Sequence, residues 1–204
     1  MEGVSEIADF FKGKSIFITG ATGFMGKVLV EKLLRSCNEV KCIYVLLRPK
    51  KGLDVKSRLR ELLDVKIFDK IRDCSPSSLN KVLAIEGDIT LPGLGISDAD
   101  LKALVRDVSI VFHSAATVKF DEPLKTSIDF NVLGTRRVIE LCHKLPKIVV
   151  TITKFEIFQL ALSFTICFLL VNYLSVIYCV EFDPVNSLEL LLITILVNGL
   201  LMIS

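Results

Sequence analysis

The chain has 204 residues, with 25 lysines and arginines against 23 aspartates and glutamates and a formal net charge of +2. That length suits one globular domain, and the near balance of charge excludes the chain-wide basic field that holds nucleic acid. The six cysteines contain no CxxC pair, which argues against a disulfide framework or a metal site and for reduced thiols in a cytosol-facing compartment.

Met1 to Lys14 carries Glu2, Glu6 and Asp9 and lacks the apolar core of a secretory signal peptide. Ser15–Thr19 is a short β-branched run ended by glycine, which predicts a buried strand. Phe24–Arg35 follows at helical spacing, with Val28, Leu29, Leu33 and Leu34 on one side and Lys27, Glu31 and Lys32 on the other. Cys42–Leu47 reads as a second strand, Val55–Arg72 as a helix, and Val82–Ile85 as a third strand. Asp98–Val105 reads as a short helix, Val108–Phe112 as a fourth strand and Pro123–Leu145 as a long helix. Val149–Thr153 has the composition of a fifth strand. Alternating strands and helices predict parallel strands joined by crossover helices and covered on both faces. The expectation is an α/β fold, a Rossmann-type doubly wound parallel sheet that is incomplete, over residues 8–148, followed by an apolar helical tail over 149–204.

The tail differs in chemistry from what precedes it. Its one lysine, Lys154, stands against Glu156, Glu181, Asp183 and Glu189. Residues 157–180 form 24 consecutive positions without a formal charge, roughly 36 Å as a helix against a hydrocarbon core of about 30 Å. The reading is a candidate transmembrane helix. Lys144, Lys147 and Lys154 before it keep the N-terminal domain on the cytosolic side by the positive-inside rule. Residues 190–204 are apolar but short, as in an interfacial or re-entrant segment.

The motif with chemistry is Thr19-Gly20-Ala21-Thr22-Gly23-Phe24-Met25-Gly26, a GxxGxxG between a predicted strand and a predicted helix. Gly20 makes the tight turn, Gly23 lets backbone N–H groups approach a pyrophosphate, and Gly26 lets the helix pack closely on the strand. The pyrophosphate then meets the helix N-terminus, where unpaired amides and the dipole favour an anion. Where an NAD site usually carries Asp or Glu, at the end of the second strand, stands Leu47-Arg48-Pro49-Lys50-Lys51. Arg48 can hold a 2′-phosphate bidentately, which points to NADPH. Asp88, after the third strand, can accept from the adenine amino group. Ala115 and Ala116 after the fourth are small enough for a cofactor to lie against the backbone. His113 is expected to be a satisfied strand-end histidine with no catalytic role.

These phrases, with Arg58-to-Leu63, Ile67-to-Arg72, GDIT, FHSAATVKFDEPL and NVLGT, resemble an insect-type, alcohol-forming fatty acyl-CoA reductase. That family is the male-sterility-type branch of the extended short-chain dehydrogenases. The resemblance covers roughly residues 8–148. It implies two NADPH-dependent reductions, of a long-chain fatty acyl-CoA to a bound aldehyde and then to an alcohol. It also implies cofactor roles for Thr19, Gly20, Gly23, Phe24, Met25, Gly26, Arg48, Asp88 and Ala115, and a supporting role for Asn131 in the proton relay. A location at the endoplasmic reticulum or peroxisome is implied on the same basis. The family's Tyr-x-x-x-Lys pair, in which the tyrosine donates a proton to the developing alkoxide, is missing. Tyr44, Tyr173 and Tyr178 are followed four positions on by Arg48, Ile177 and Phe182. Two other readings stay open on the residues alone: a non-catalytic, membrane-tethered dinucleotide-binding module, and another extended dehydrogenase such as a nucleotide-sugar epimerase.

Overall fold

A computed structural model of the chain describes residues 6–50, 52–117, 121–155 and 176–179. Helix α1 (Glu6–Phe11) precedes strand β1 (Ser15–Thr19), followed by α2 (Phe24–Ser36), β2 (Cys42–Leu47), α3 (Val55–Leu63) and α4 (Asp69–Cys74). Then come β3 (Val82–Glu86), α5 (Asp98–Asp107), β4 (Val108–His113), α6 (Leu124–Ile128), α7 (Gly134–Cys142), β5 (Val150–Phe155) and β6 (Val176–Cys179). One sheet collects the strands in the order β3-β2-β1-β4-β5-β6. β1 pairs with β2 and with β4, β2 with β3, and β4 with β5, all in parallel. The chain leaves β1 toward β2 on one side and returns past it to β4 on the other. The order therefore reverses between β1 and β4, where open α/β sheets bind ligands beyond the strands' carboxyl ends.

Both faces of the sheet are covered, which is why its strands read as unbroken apolar runs. Along β1 and β2, Ile16, Ile18, Ile43, Val45 and Leu47 join a cluster with Val30, Leu33, Leu34, Leu62 and Phe68. The alternate residues Phe17, Tyr44 and Leu46 join a second cluster with Leu104, Val138 and Leu141. Phe11 of α1, an element the sequence pattern does not single out, stacks at 6.4 Å on Phe112 of β4.

Two expected helices are broken. The stretch expected over Val55–Arg72 stops at Leu63 and resumes as a 3₁₀ turn at Lys66–Phe68 before α4. The Arg72 guanidinium donates to the carbonyl of Leu63 at 2.5 Å, an acceptor that the helix end leaves open, and to that of Val65 at 3.4 Å, which also accepts from the Phe68 amide. The break lets Phe68 become fully buried. The helix expected over Pro123–Leu145 is interrupted by one π turn, Asp129–Leu133, between α6 and α7. The candidate membrane helix over 157–180 lies outside the described residues except at its end, and there a correction is needed. Val176–Cys179 is strand β6, antiparallel to β5, consistent with the strand preference of Val-Ile-Tyr and with the open edge that β5 would otherwise present. Among the described residues no helix is long and apolar enough to cross a membrane.

Candidate functional site: a dinucleotide cleft at the sheet's switch point

The turn between β1 and α2 is built by backbone proximity. Gly20 has φ +76°, and a Cβ there would lie 2.6 Å from the amide nitrogen of Ala115 and 2.6 Å from the carbonyl carbon of Ser114. The chain leaving β1 therefore touches the chain leaving β4, and Ser114 ties them: its amide and hydroxyl both donate to the Thr19 carbonyl, at 3.2 and 2.9 Å. At Gly26 a Cβ would run into the Gly20 carbonyl oxygen and lie 2.5 Å from the Ala21 Cα. Only a residue without a side chain lets α2 start this close to the turn. Gly23 is the N-cap of α2 and supplies no side-chain cap, so the first turn of the helix has no side-chain acceptor at its start and its positive end is left for an anion. Met25 is half-buried, whereas Phe24 is 80% exposed.

Beneath the turn lies a buried polar relay. Thr19 Oγ1 is 2.6 Å from His113 Nδ1, His113 Nε2 is 3.1 Å from Thr135 Oγ1, and Thr135 Oγ1 donates to the Asn131 carbonyl at 2.7 Å. Because the Thr135 proton is spent on Asn131, Nε2–H must donate to Thr135, and Nδ1 then accepts from Thr19. Burial pushes the His113 pKa down to about 4, so the ring is neutral and the relay is uncharged. Thr19 is thus placed as an anchor beneath the turn. Its hydroxyl faces His113 and not the cleft.

The cleft, about 210 Å³ in volume, runs from Gly20, Thr22 and Gly23 past Ala115 and Ala116 to Arg48, Asp88 and Phe130. At its far end Arg48, 56% exposed, is 3.5 Å from Asp88 and has its guanidinium carbon 5.5 Å from the centre of the Phe130 ring. One Asp88 oxygen accepts from the amide and hydroxyl of Thr90, both at 2.9 Å, which leaves the other for Arg48 or a ligand. A second hollow of about 560 Å³ adjoins at this end and shares Arg48, Arg58, Gly87 and Asp88 with the first. Arg58, on α3, donates to the Arg48 carbonyl. It is a site residue that the sequence pattern hides, since an arginine on a charged helix reads as solvent-facing.

Asn131 sits on the π turn with both ends of its amide engaged. Its Oδ1 accepts from the Thr117 amide at 2.9 Å, and its Nδ2 donates to the Thr117 carbonyl at 3.0 Å. It therefore pins the loop after β4 to the helix opposite. The structure brings Gly20, Gly23, Arg48, Asp88 and Ala115 to one cleft, while Phe24, Met25 and Gly26 form the first turn of α2 next to it and do not line it. Thr19 and Asn131 stand one layer behind.

Glycines too tight for a Cβ, a helix start without a side-chain cap and an arginine pair at the far end make the cleft fit a dinucleotide diphosphate. Fold and site together define a Rossmann-type dinucleotide-binding domain. Residues 18–155 match the NAD-binding family described as male sterility protein. Fatty acyl-CoA reductase 1 of Xenopus laevis is 47% identical over 146 residues, 72% of this chain and 28% of the relative. A putative fatty acyl-CoA reductase of Drosophila melanogaster is 48% identical over 145 residues, 71% and 28% of the two chains. Among solved structures, the reductase domain of a nonribosomal peptide synthetase from Mycobacterium tuberculosis is similar, at 25% identity and a TM-score of 0.55. The match covers 72% of this chain and 35% of that one. The terminal R domain of the myxalamid pathway is similar at 28% identity and 0.54, over 66% and 33%. The chain belongs to the fatty acyl-CoA reductase family, and it spans about 28% of the length of the relatives it matches.

Proposed function

We propose that this chain is the NADPH-binding portion of a fatty acyl-CoA reductase that reduces long-chain fatty acyl-CoA to fatty alcohol. The observation that carries the cofactor reading is the cationic end of the cleft, where Arg48 and Arg58 stand beyond β2 with no acidic side chain at that strand's end. A 2′-phosphate there meets the bidentate donors of Arg48, whereas a carboxylate in place of Arg48 would repel it; the nearby Asp88, after β3, is already paired with that guanidinium at 3.5 Å.

When bound, NADPH supplies the hydride; the chain's own residues bind and orient. The first turn of α2, Phe24, Met25 and Gly26, would hold the diphosphate through its amides, Gly20 and Gly23 would leave room for it, Asp88 would accept from the adenine amino group, and the small Ala115 would admit the cofactor to the backbone. Asn131 holds the loop after β4 in register through Thr117. The sequence contains no Tyr-x-x-x-Lys, so the acid that protonates the alkoxide is not among these residues.

The test is a pair of titrations monitored by nucleotide fluorescence. The wild type should bind NADPH more tightly than NADH, and Arg48→Glu should weaken NADPH by about tenfold or more while leaving NADH within about twofold, since a charge-assisted bond is worth about 1.5–3 kcal/mol. Equal loss for both nucleotides would overturn the assignment of NADPH. Once binding is established, long-chain acyl-CoA added with NADPH should produce no turnover by the chain alone.

A further inference from the structure

The Arg48 side chain is poorly held by its own ion pair. At 3.5 Å, with the arginine more than half exposed, its contact with Asp88 is of the screened surface kind that orients a guanidinium weakly. The other contact is Phe130, 5.5 Å from guanidinium carbon to ring centre, within the range in which an aromatic face attracts a cation. Phe130 is itself fixed. It lies on the π turn, is half-buried and packs against the second apolar cluster. The residue before it, Asp129, is clamped by Arg137, whose Nη2 donates to Asp129 Oδ1 at 2.9 Å and whose Nη1 donates to the Ile89 carbonyl at 2.9 Å. The residue after it, Asn131, is bonded at both ends of its amide to Thr117. A π turn inserts one extra residue per turn and re-aims the side chains it carries. Here it places the one aromatic ring among the cleft's lining residues beside Arg48.

We infer that Phe130 is a positioning residue for phosphate recognition: its ring is the platform that holds Arg48 where a 2′-phosphate is read. The inference rests on the NADPH reading above. A cation held over a ring face keeps its N–H donors for an anion, and a platform fixed from both sides reduces the rotamer freedom that Arg48 would lose on binding. Discrimination between the two dinucleotides thereby belongs to an arginine–aromatic pair drawn from two segments far apart in the chain.

The experiment uses the whole chain and four variants, with NADPH, NADH, adenosine 2′,5′-bisphosphate and AMP as probes. Phe130→Leu should weaken NADPH and the bisphosphate by about three- to fivefold and leave NADH and AMP within twofold. Phe130→Tyr, which keeps the ring, should restore wild-type discrimination. Arg48→Met should abolish the preference for the phosphorylated probes, and adding Phe130→Leu to it should cause no further change in that preference. Equal weakening of all four probes by Phe130→Leu, or no weakening, overturns the inference while leaving the NADPH assignment standing. An undiminished preference in Arg48→Met overturns the NADPH assignment itself. If thermal melting shows Phe130→Leu to be unfolded, Phe130→Met takes its place with the same two deciding outcomes.

Discussion

The His113 relay makes a quantitative prediction about acid stability. In an unfolded chain a histidine titrates near pH 6.5; in the fold the ring is buried between two threonine hydroxyls and its pKa falls to about 4. Between those values the unfolded chain takes up a proton that the native state refuses, so stability is fully present above about pH 6.5 and is lost as the pH falls toward 4. At about 1.36 kcal/mol per unit the gap is worth about 3 kcal/mol, of which about 2 kcal/mol is gone by pH 5. Carboxylates titrate in the same interval, so the measurement must be differential. Urea unfolding of the wild type and of His113→Gln, which can hydrogen-bond but cannot charge, should be compared from pH 7.5 to 4.5. The variant pays a fixed cost at neutral pH, and its deficit should shrink by about 2 kcal/mol on going to pH 5. Parallel stability curves would refute the claim that His113 is held neutral by burial.

Two further substitutions test the turn and the loop opposite. Gly26→Ala places a methyl against the Gly20 carbonyl and the Ala21 backbone; α2 must move, and NADPH affinity in the same fluorescence titration should fall at least about tenfold, one extended backbone clash being worth more than the ~1.4 kcal/mol of a tenfold change. Unchanged affinity would show that the close approach is not needed for binding. Asn131→Ala removes both bonds to the Thr117 peptide and should lower the unfolding free energy by about 1–3 kcal/mol, read from chemical denaturation; a loss under about 0.5 kcal/mol would mean that the loop holds itself.

The centre of the sheet was legible because β1, β2 and β4 are buried on both faces. Ser15–Thr19, Cys42–Leu47 and Val108–His113 are short runs of apolar and β-branched residues, and a glycine turn leading into an amphipathic helix has few other physical uses. The cleft end of the site was legible for the same reason: Gly20 and Gly26 are required by backbone contacts that a side chain would fill, so the chemistry is written in residue type. Arg48 could be placed because it directly follows a strand whose end the topology brings to the cleft.

What could not be read depends on partners distant in sequence. Arg58 has the spacing of an exposed helical arginine, and only the packing of α3 beside β2 turns it toward the Arg48 carbonyl. Thr19 and His113 each look like ordinary strand-end residues; their bond spans 94 positions of chain. The helix expected over Pro123–Leu145 has no glycine or proline between Leu124 and Leu133 to announce a break, and the π turn follows from tertiary demands: Arg137 on Asp129 at one side, Thr117 on Asn131 at the other. The same limit explains Val176–Cys179. Apolar periodicity cannot separate a lipid-facing helix from a strand that pairs with β5; the hydrogen-bonding edge that decides between them lies more than twenty residues earlier in the chain.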